Sequence, residues 1–220
     1  MGKITNFYTS SVGRKLLVGL TGFFLSAFLA FHLTINLFLF KQDAGKTFND
    51  YSEFLATYPL LRPIEIVLFL LFVVHAFLAL WLWFVNRRAR PKDYEVLRAS
   101  DNSKLESRVT FITGSVVLIF LVVHINTFFV TSRFFAAEES VTMYQRVANA
   151  FQNPWYVAFY VVALAFLAYH LKHGFQSMFQ TLGLRSAKYQ RLIDVVAIIF
   201  WLLIPLGFAA MPLYFLFRVH

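Results

Sequence analysis

Cysteine is absent from the 220 residues, so the chain forms neither a disulfide nor a thiolate-held iron–sulfur cluster of its own. Charge is scarce as well. Asp, Glu, Lys and Arg make up 14% of the residues, against about 25% in soluble domains. Acids are the scarcer sign, with 11 against 20 bases, which leaves a formal net charge of +9. What abounds is apolar: 59% of residues are hydrophobic and 19% aromatic. A soluble domain of this length has too little interior for that much apolar surface.

The apolar residues fall in five runs: Leu16–Phe40, Ile64–Val85, Val109–Val130, Trp155–Leu171 and Val195–Phe217. Each matches the ~17–25 residues a helix needs to cross a ~30 Å hydrocarbon core. No run is a short apolar region followed by a small-residue cleavage site, so the first helix is expected to stay in the membrane. The expectation is an all-α membrane protein, residues 1–220 forming one domain. Its spans run at about 15–40, 63–86, 108–131, 154–180 and 192–217.

The positive charge has a direction. Lys3, Arg14 and Lys15 precede the first span. Arg87, Arg88, Arg90, Lys92, Arg98, Lys104 and Arg108 lie between the second and third, and Lys172, Arg185, Lys188 and Arg191 surround the fourth connection. These groups hold 3 + 7 + 4 = 14 of the 20 bases, all on one side. The positive-inside rule makes that side cytoplasmic, with the N terminus inside and the C terminus outside. Basic loops facing anionic lipid or an acidic partner account for the charge without nucleic acid.

The longest connections, about Lys41–Leu61, Asn86–Arg108 and Thr131–Pro154, have room for only a short surface helix each. Pro91–Asp101 is polar and charged, as suits a cytoplasmic docking loop. Pro59 and Pro63 bracket the start of the second span, and Asn153-Pro154 marks the start of the fourth. Pro205 and Pro212 predict a kink in the last span. No repeat of 20–50 residues is evident.

Four of the six histidines sit deep in the first four spans, one in each: His32, His75, His124 and His170. An ionisable side chain in hydrocarbon is a functional-site hypothesis by default. Depth follows from the ~1.5 Å helical rise. Measured from the cytoplasmic edge, His32 lies at roughly 25 Å, His124 at roughly 23 Å, His75 at roughly 16 Å and His170 at roughly 15 Å. The four therefore sort into an outer pair, His32 and His124, and an inner pair, His75 and His170. Two facing imidazole pairs in a helical bundle are suited to ligating two haem irons. Iron held by two histidines has no open position, which fits electron transfer rather than oxygen chemistry. The competing reading is four polar cross-links between helices. Gly22 and Gly114, each ten residues before an outer histidine, are expected to leave room for a ring edge. His173 shares a face with His170 and is either a propionate or backbone partner or the alternative inner ligand. His220, the last residue, is expected to be solvated.

These residues resemble the five-helix dihaem cytochrome b anchor of succinate:quinone oxidoreductases, the group of succinate dehydrogenases and fumarate reductases. The resemblance rests on four histidines at intervals of 43, 49 and 46 residues and on His170-Leu-Lys-His-Gly-Phe-Gln-Ser. Gly174, four residues after His170, matches the family's spacing where His173 does not. Ser10-Ser11-Val-Gly-Arg14-Lys15 and Leu20-Thr-Gly22 also look like the family's first span. The resemblance covers essentially the whole chain. It implies a bundle enclosing two stacked b haems, His75/His170 proximal and His32/His124 distal to a cytoplasmic iron–sulfur subunit. A flavoprotein subunit would carry the succinate chemistry and a membrane quinone, menaquinone, would exchange the electrons. It further implies a bacterial cytoplasmic membrane. Ala168 stands where some fumarate-reducing members carry a glutamate, which favours succinate oxidation.

Other polar residues have two readings each. Glu65 is either an acid beside a quinone or a carboxylate at a helix N-terminus. Asp194 reads as a cap near the last span. Asn36 and Asn126 either meet propionate or quinone or stitch helices together. Arg14 and Lys172 either meet inner propionates or snorkel to phosphate headgroups. Trp81, Trp83 and Trp155 fit interfacial belts. Two alternatives to the whole reading are a dihaem cytochrome b of a hydrogenase or formate dehydrogenase and a haem-free transporter relaying protons through histidine. The second lacks the inverted repeat and paired broken helices that transporters use.

Overall fold

The computed structural model describes residues 10–88, 102–135, 141–184 and 188–218. Lys3, Arg90, Arg185, His220 and the expected docking stretch Pro91–Asp101 lie outside them. The described residues are helical throughout their regular structure. Five helices are long and apolar enough to cross a membrane: Val12–Phe40, Leu61–Arg88, Val109–Phe134, Pro154–Thr181 and Gln190–Arg218. They coincide with the five expected spans to within a few residues, and the protein is a multi-pass membrane protein.

Local chemistry sets the ends. The Ser10 hydroxyl accepts from Gly13 N at 3.0 Å and starts the first span, which closes in a 3-10 turn at Leu37–Phe40. Asn153 Oδ1 accepts from Trp155 N and Tyr156 N at 3.0 and 3.3 Å, with Pro154 at the first helical position where its missing donor is not needed. The last span is interrupted as proline predicts, by a π turn at Ile199–Leu203 directly ahead of Pro205. Pro212, in contrast, lies within the helix Ile204–Arg218. A second π turn, Ile125–Val130, follows His124 with no proline to announce it.

The first span packs on the second and the fourth, and the third on the fourth and more lightly on the second. The fifth lies against the fourth and first. Spans one to four thus form a ring in which one and three, and two and four, face each other diagonally. Much of the outside is apolar. In the second span Ile66, Val67, Leu70, Val73, Phe77 and Phe84 are all exposed, a surface that only lipid or another apolar partner can cover.

Short helices form in the first and third connections, Lys46–Thr57 and Met143–Ala150. They dock on each other, with Tyr144 N donating to Asn49 Oδ1 at 2.9 Å. Beneath them lies the largest buried cluster, including Leu39, Phe48, Val147, Phe151, Tyr160 and Phe215. Asp43 accepts from Gly45 N, Thr47 N and the Thr47 hydroxyl, and those bonds hold its carboxyl below the usual range. Gly45 has φ +80°, and a β-carbon there would stand 2.1 Å from the Tyr144 ring. Gly45→Ala combines left-handed strain of about 1–2 kcal/mol with overpacking of about 1–3 kcal/mol. It is therefore expected to lower the melting temperature of the detergent-purified protein while leaving the helical content of the spans unchanged.

Candidate functional site

The two diagonals carry the four histidines. His32 on the first span faces His124 on the third, with ring centres 5.9 Å apart and planes at 89°. His75 on the second faces His170 on the fourth, at 6.3 Å and 81°. The pairs are those that helical rise groups by depth. His75/His170 lie toward the end where the basic connections emerge, and His32/His124 toward the opposite end, near the two docked short helices. The His173 ring rests against Tyr169 at 4.8 Å.

Three of the four imidazoles have a hydroxyl beside Nδ1. Thr21 Oγ1 lies 3.1 Å from His75 Nδ1, and Thr113 Oγ1 lies 3.5 Å from His170 Nδ1. Tyr160 OH lies 3.0 Å from His124 Nδ1 and continues through Tyr156 to the Thr127 hydroxyl at 3.2 and 3.0 Å. His32 differs: Asn36 Nδ2 donates to the His32 carbonyl at 2.8 Å and stands 3.4 Å from Nδ1. Phe28 stacks on His32 and Phe120 on His124. A β-carbon on Gly22 would lie 3.2 Å from His75 Cε1, and one on Gly114 3.4 Å from His170 Cε1. Both glycines therefore make room for the inner pair, not for the histidine ten residues along their own helix, which lies roughly 15 Å away.

Sequence reasoning assigned no site role to Thr21, Thr113 or Tyr160. The signal for the threonines is a Thr-Gly pair ahead of each outer histidine; nothing comparable marks Tyr160.

The remaining polar residues lie elsewhere. Glu65 Oε2 pairs with Arg62 Nη1 at 3.3 Å and with Arg133 Nη2 at 3.2 Å, and Arg133 also donates to the Ala56 carbonyl at 3.1 Å. Arg14 Nε approaches the Ser10 carbonyl at 3.4 Å. Asn126 is exposed. Lys172 Nζ sits 5.0 Å over the Trp201 ring and, with Gln176 and Asp194, lines a cleft between the fourth and fifth spans. Trp83 stacks on Phe111, while Trp155 is exposed.

Two imidazoles on opposite sides of one metal place their ring centres about 6 Å apart, from about 2 Å of bond and about 1 Å of ring on each side. Both pairs meet that spacing. Among the described residues no group of three or more His, Asp or Glu side chains gathers to hold a metal ion. The donor set at each level is two nitrogens, which suits a metal whose other ligands come from a macrocycle rather than from protein.

The model of the succinate dehydrogenase/fumarate reductase transmembrane subunit family matches residues 85–206, more than half of the chain. The matched stretch contains His124 and His170. No curated protein and no solved structure matches the chain. The chain belongs to the succinate dehydrogenase/fumarate reductase transmembrane subunit family.

Proposed function

We propose that this membrane-anchor subunit is a cytochrome b that carries electrons between an iron–sulfur partner and menaquinone through two bis-histidine haems. The observation that carries the reading is the pair of crossed histidine diagonals, each spaced for one metal. His75 and His170 hold the haem nearer the cytoplasm, and His32 and His124 hold the outer one. When bound, each haem would supply a one-electron relay rather than oxygen chemistry, because the two imidazoles of its level leave no place for another ligand. The rest is done by the chain. Stacked Phe28 and Phe120 and the lipid-facing walls keep water away from the imidazoles. Distances through a ~30 Å hydrocarbon core are divided by two relays at different depths.

The whole of residues 1–220 acts as one domain in a bacterial cytoplasmic membrane, N terminus inside. The basic connections dock the iron–sulfur subunit, and the flavoprotein beyond it oxidises succinate; Ala168, in place of an acid, supports that direction. His170, whose ring faces His75, is the inner ligand. His173 and Arg14 are proposed as propionate partners. Glu65 is assigned to the ion-pair cluster rather than to quinone, because both guanidinium contacts engage its carboxylate.

Single substitutions test the assignment. His75→Ala and His170→Ala should each reduce the haem content of the purified complex from two per chain to one and weaken retention of the soluble subunits. His32→Ala and His124→Ala should remove only the other haem. Pyridine haemochrome quantification reads the count, and loss of both haems from every variant would contradict the two-level assignment. Gly22→Ala should lower occupancy at the His75/His170 level alone, because its methyl group displaces the His75 ring by a few tenths of an ångström.

A further inference from the structure

The first and third spans carry the same short pattern. Thr21-Gly22 leads to Phe28 and His32, and Thr113-Gly114 leads to Phe120 and His124. Both read Thr-Gly-x5-Phe-x3-His, offset by 92 residues (113 − 21). The contacts repeat with the letters. Phe28 stacks on His32 at 5.3 Å and 19°, and Phe120 on His124 at 5.6 Å and 29°. Thr21 addresses His75 Nδ1, and Thr113 addresses His170 Nδ1. Gly22 and Gly114 lie against the same two rings. Each copy thus contributes its own histidine to the outer level and turns its Thr-Gly pair toward an inner histidine on the neighbouring span.

The direction of the threonine bonds follows from proton counting. A hydroxyl has one proton and two lone pairs. Thr21 Oγ1 donates to the carbonyls of Leu17 and Val18 at 2.8 and 3.0 Å, and Thr113 Oγ1 donates to Thr110 O at 3.1 Å. With that proton on a carbonyl, each oxygen is left to accept from the imidazole. In that arrangement Nδ1 of His75 and His170 carries the proton and Nε2 keeps the lone pair that a metal needs.

Back-bonding to a carbonyl alone is ordinary for a hydroxyl in a membrane helix; Thr34 does it to Ala30 O while remaining exposed. Thr21 and Thr113 differ in place. Among the described residues, the buried polar side chains are Thr21 at 8% exposure, Ser26 at 4% and Thr113 at 3%. Two of these three face the inner imidazoles.

We infer that Thr21 and Thr113 are positioning residues for the inner pair. They fix the tautomer and ring plane of His75 and His170 and hold down the midpoint potential of the metal between them. The inference rests on the haem reading above. An acceptor on the far nitrogen makes a ligating imidazole a stronger donor, which favours the oxidised metal. The effect of Thr113 is the smaller, since its contact is the longer.

Potentiometric titration of the haems in the intact complex tests this. The inner midpoint is identified as the one missing from His75→Ala. Thr21→Val should raise that midpoint by about 30 mV, a threefold change in the oxidised-to-reduced ratio for one electron. It should also shift the low-spin EPR signal of that haem and leave the other midpoint unmoved. Thr113→Val should act in the same direction by less. Thr21→Ser, which restores the acceptor, should return both readouts to the parent values.

A parent with two haems whose inner midpoint and EPR signal stay put in Thr21→Val would overturn the inference and leave the haem reading standing. So would Thr21→Ser behaving like Thr21→Val. If Thr21→Val sheds the inner haem, the serine variant decides: retention at the parent midpoint supports positioning, and loss overturns it. A haem-free parent would overturn the haem reading and this inference with it.

Discussion

An imidazole in hydrocarbon must have something to bind, and this bundle is arranged around that requirement. Four such rings meet in two pairs across the diagonals of a four-span ring, at 5.9 and 6.3 Å. Opposite spans meet through histidine, and hydroxyls on adjacent spans reach three of the four rings. The fifth span and the two docked connection helices close the structure around that centre. Each placement has a local cause, such as Asn153 capping the fourth span or the π turn that admits Pro205.

The two levels are supported differently. The inner rings rest against buried threonine hydroxyls, His124 heads a chain of phenols, and His32 has an amide nitrogen beside it. Ligand basicity depends on such partners, and the two histidine pairs sit in chemically different surroundings. The two relays proposed above would draw on that difference. Membership of the succinate dehydrogenase/fumarate reductase transmembrane subunit family supplies the setting in which it has a use.

How much was legible from sequence depended on whether a feature lies along one helix or between two. The five spans follow from hydropathy, and the levels of His32, His75, His124 and His170 follow from helical rise and alternating direction. Near the end of the fourth span, the His170 ring lies 6.3 Å from that of His75, while the His173 ring rests on Tyr169. That Gly22 and Gly114 lie against the His75 and His170 rings was not legible, because the register between neighbouring spans is not written in either one. Glu65 looked like a lone acid; its partner Arg133 lies 68 residues away (133 − 65) and is brought to it by folding. The packing of Gly45 on Tyr144 was out of reach for the same reason. Thr21 and Thr113 escaped notice because a hydroxyl bonded to its own helix looks unremarkable until the neighbouring ring is seen.

The most direct measurement is a reduced-minus-oxidised spectrum of the natively purified complex, with haem quantified per chain and succinate as the reductant. Two b haems per chain, reduced by succinate when the soluble subunits are present, is the result this account predicts. A complex that retains its subunits and passes electrons to quinone with no haem in this chain would contradict it.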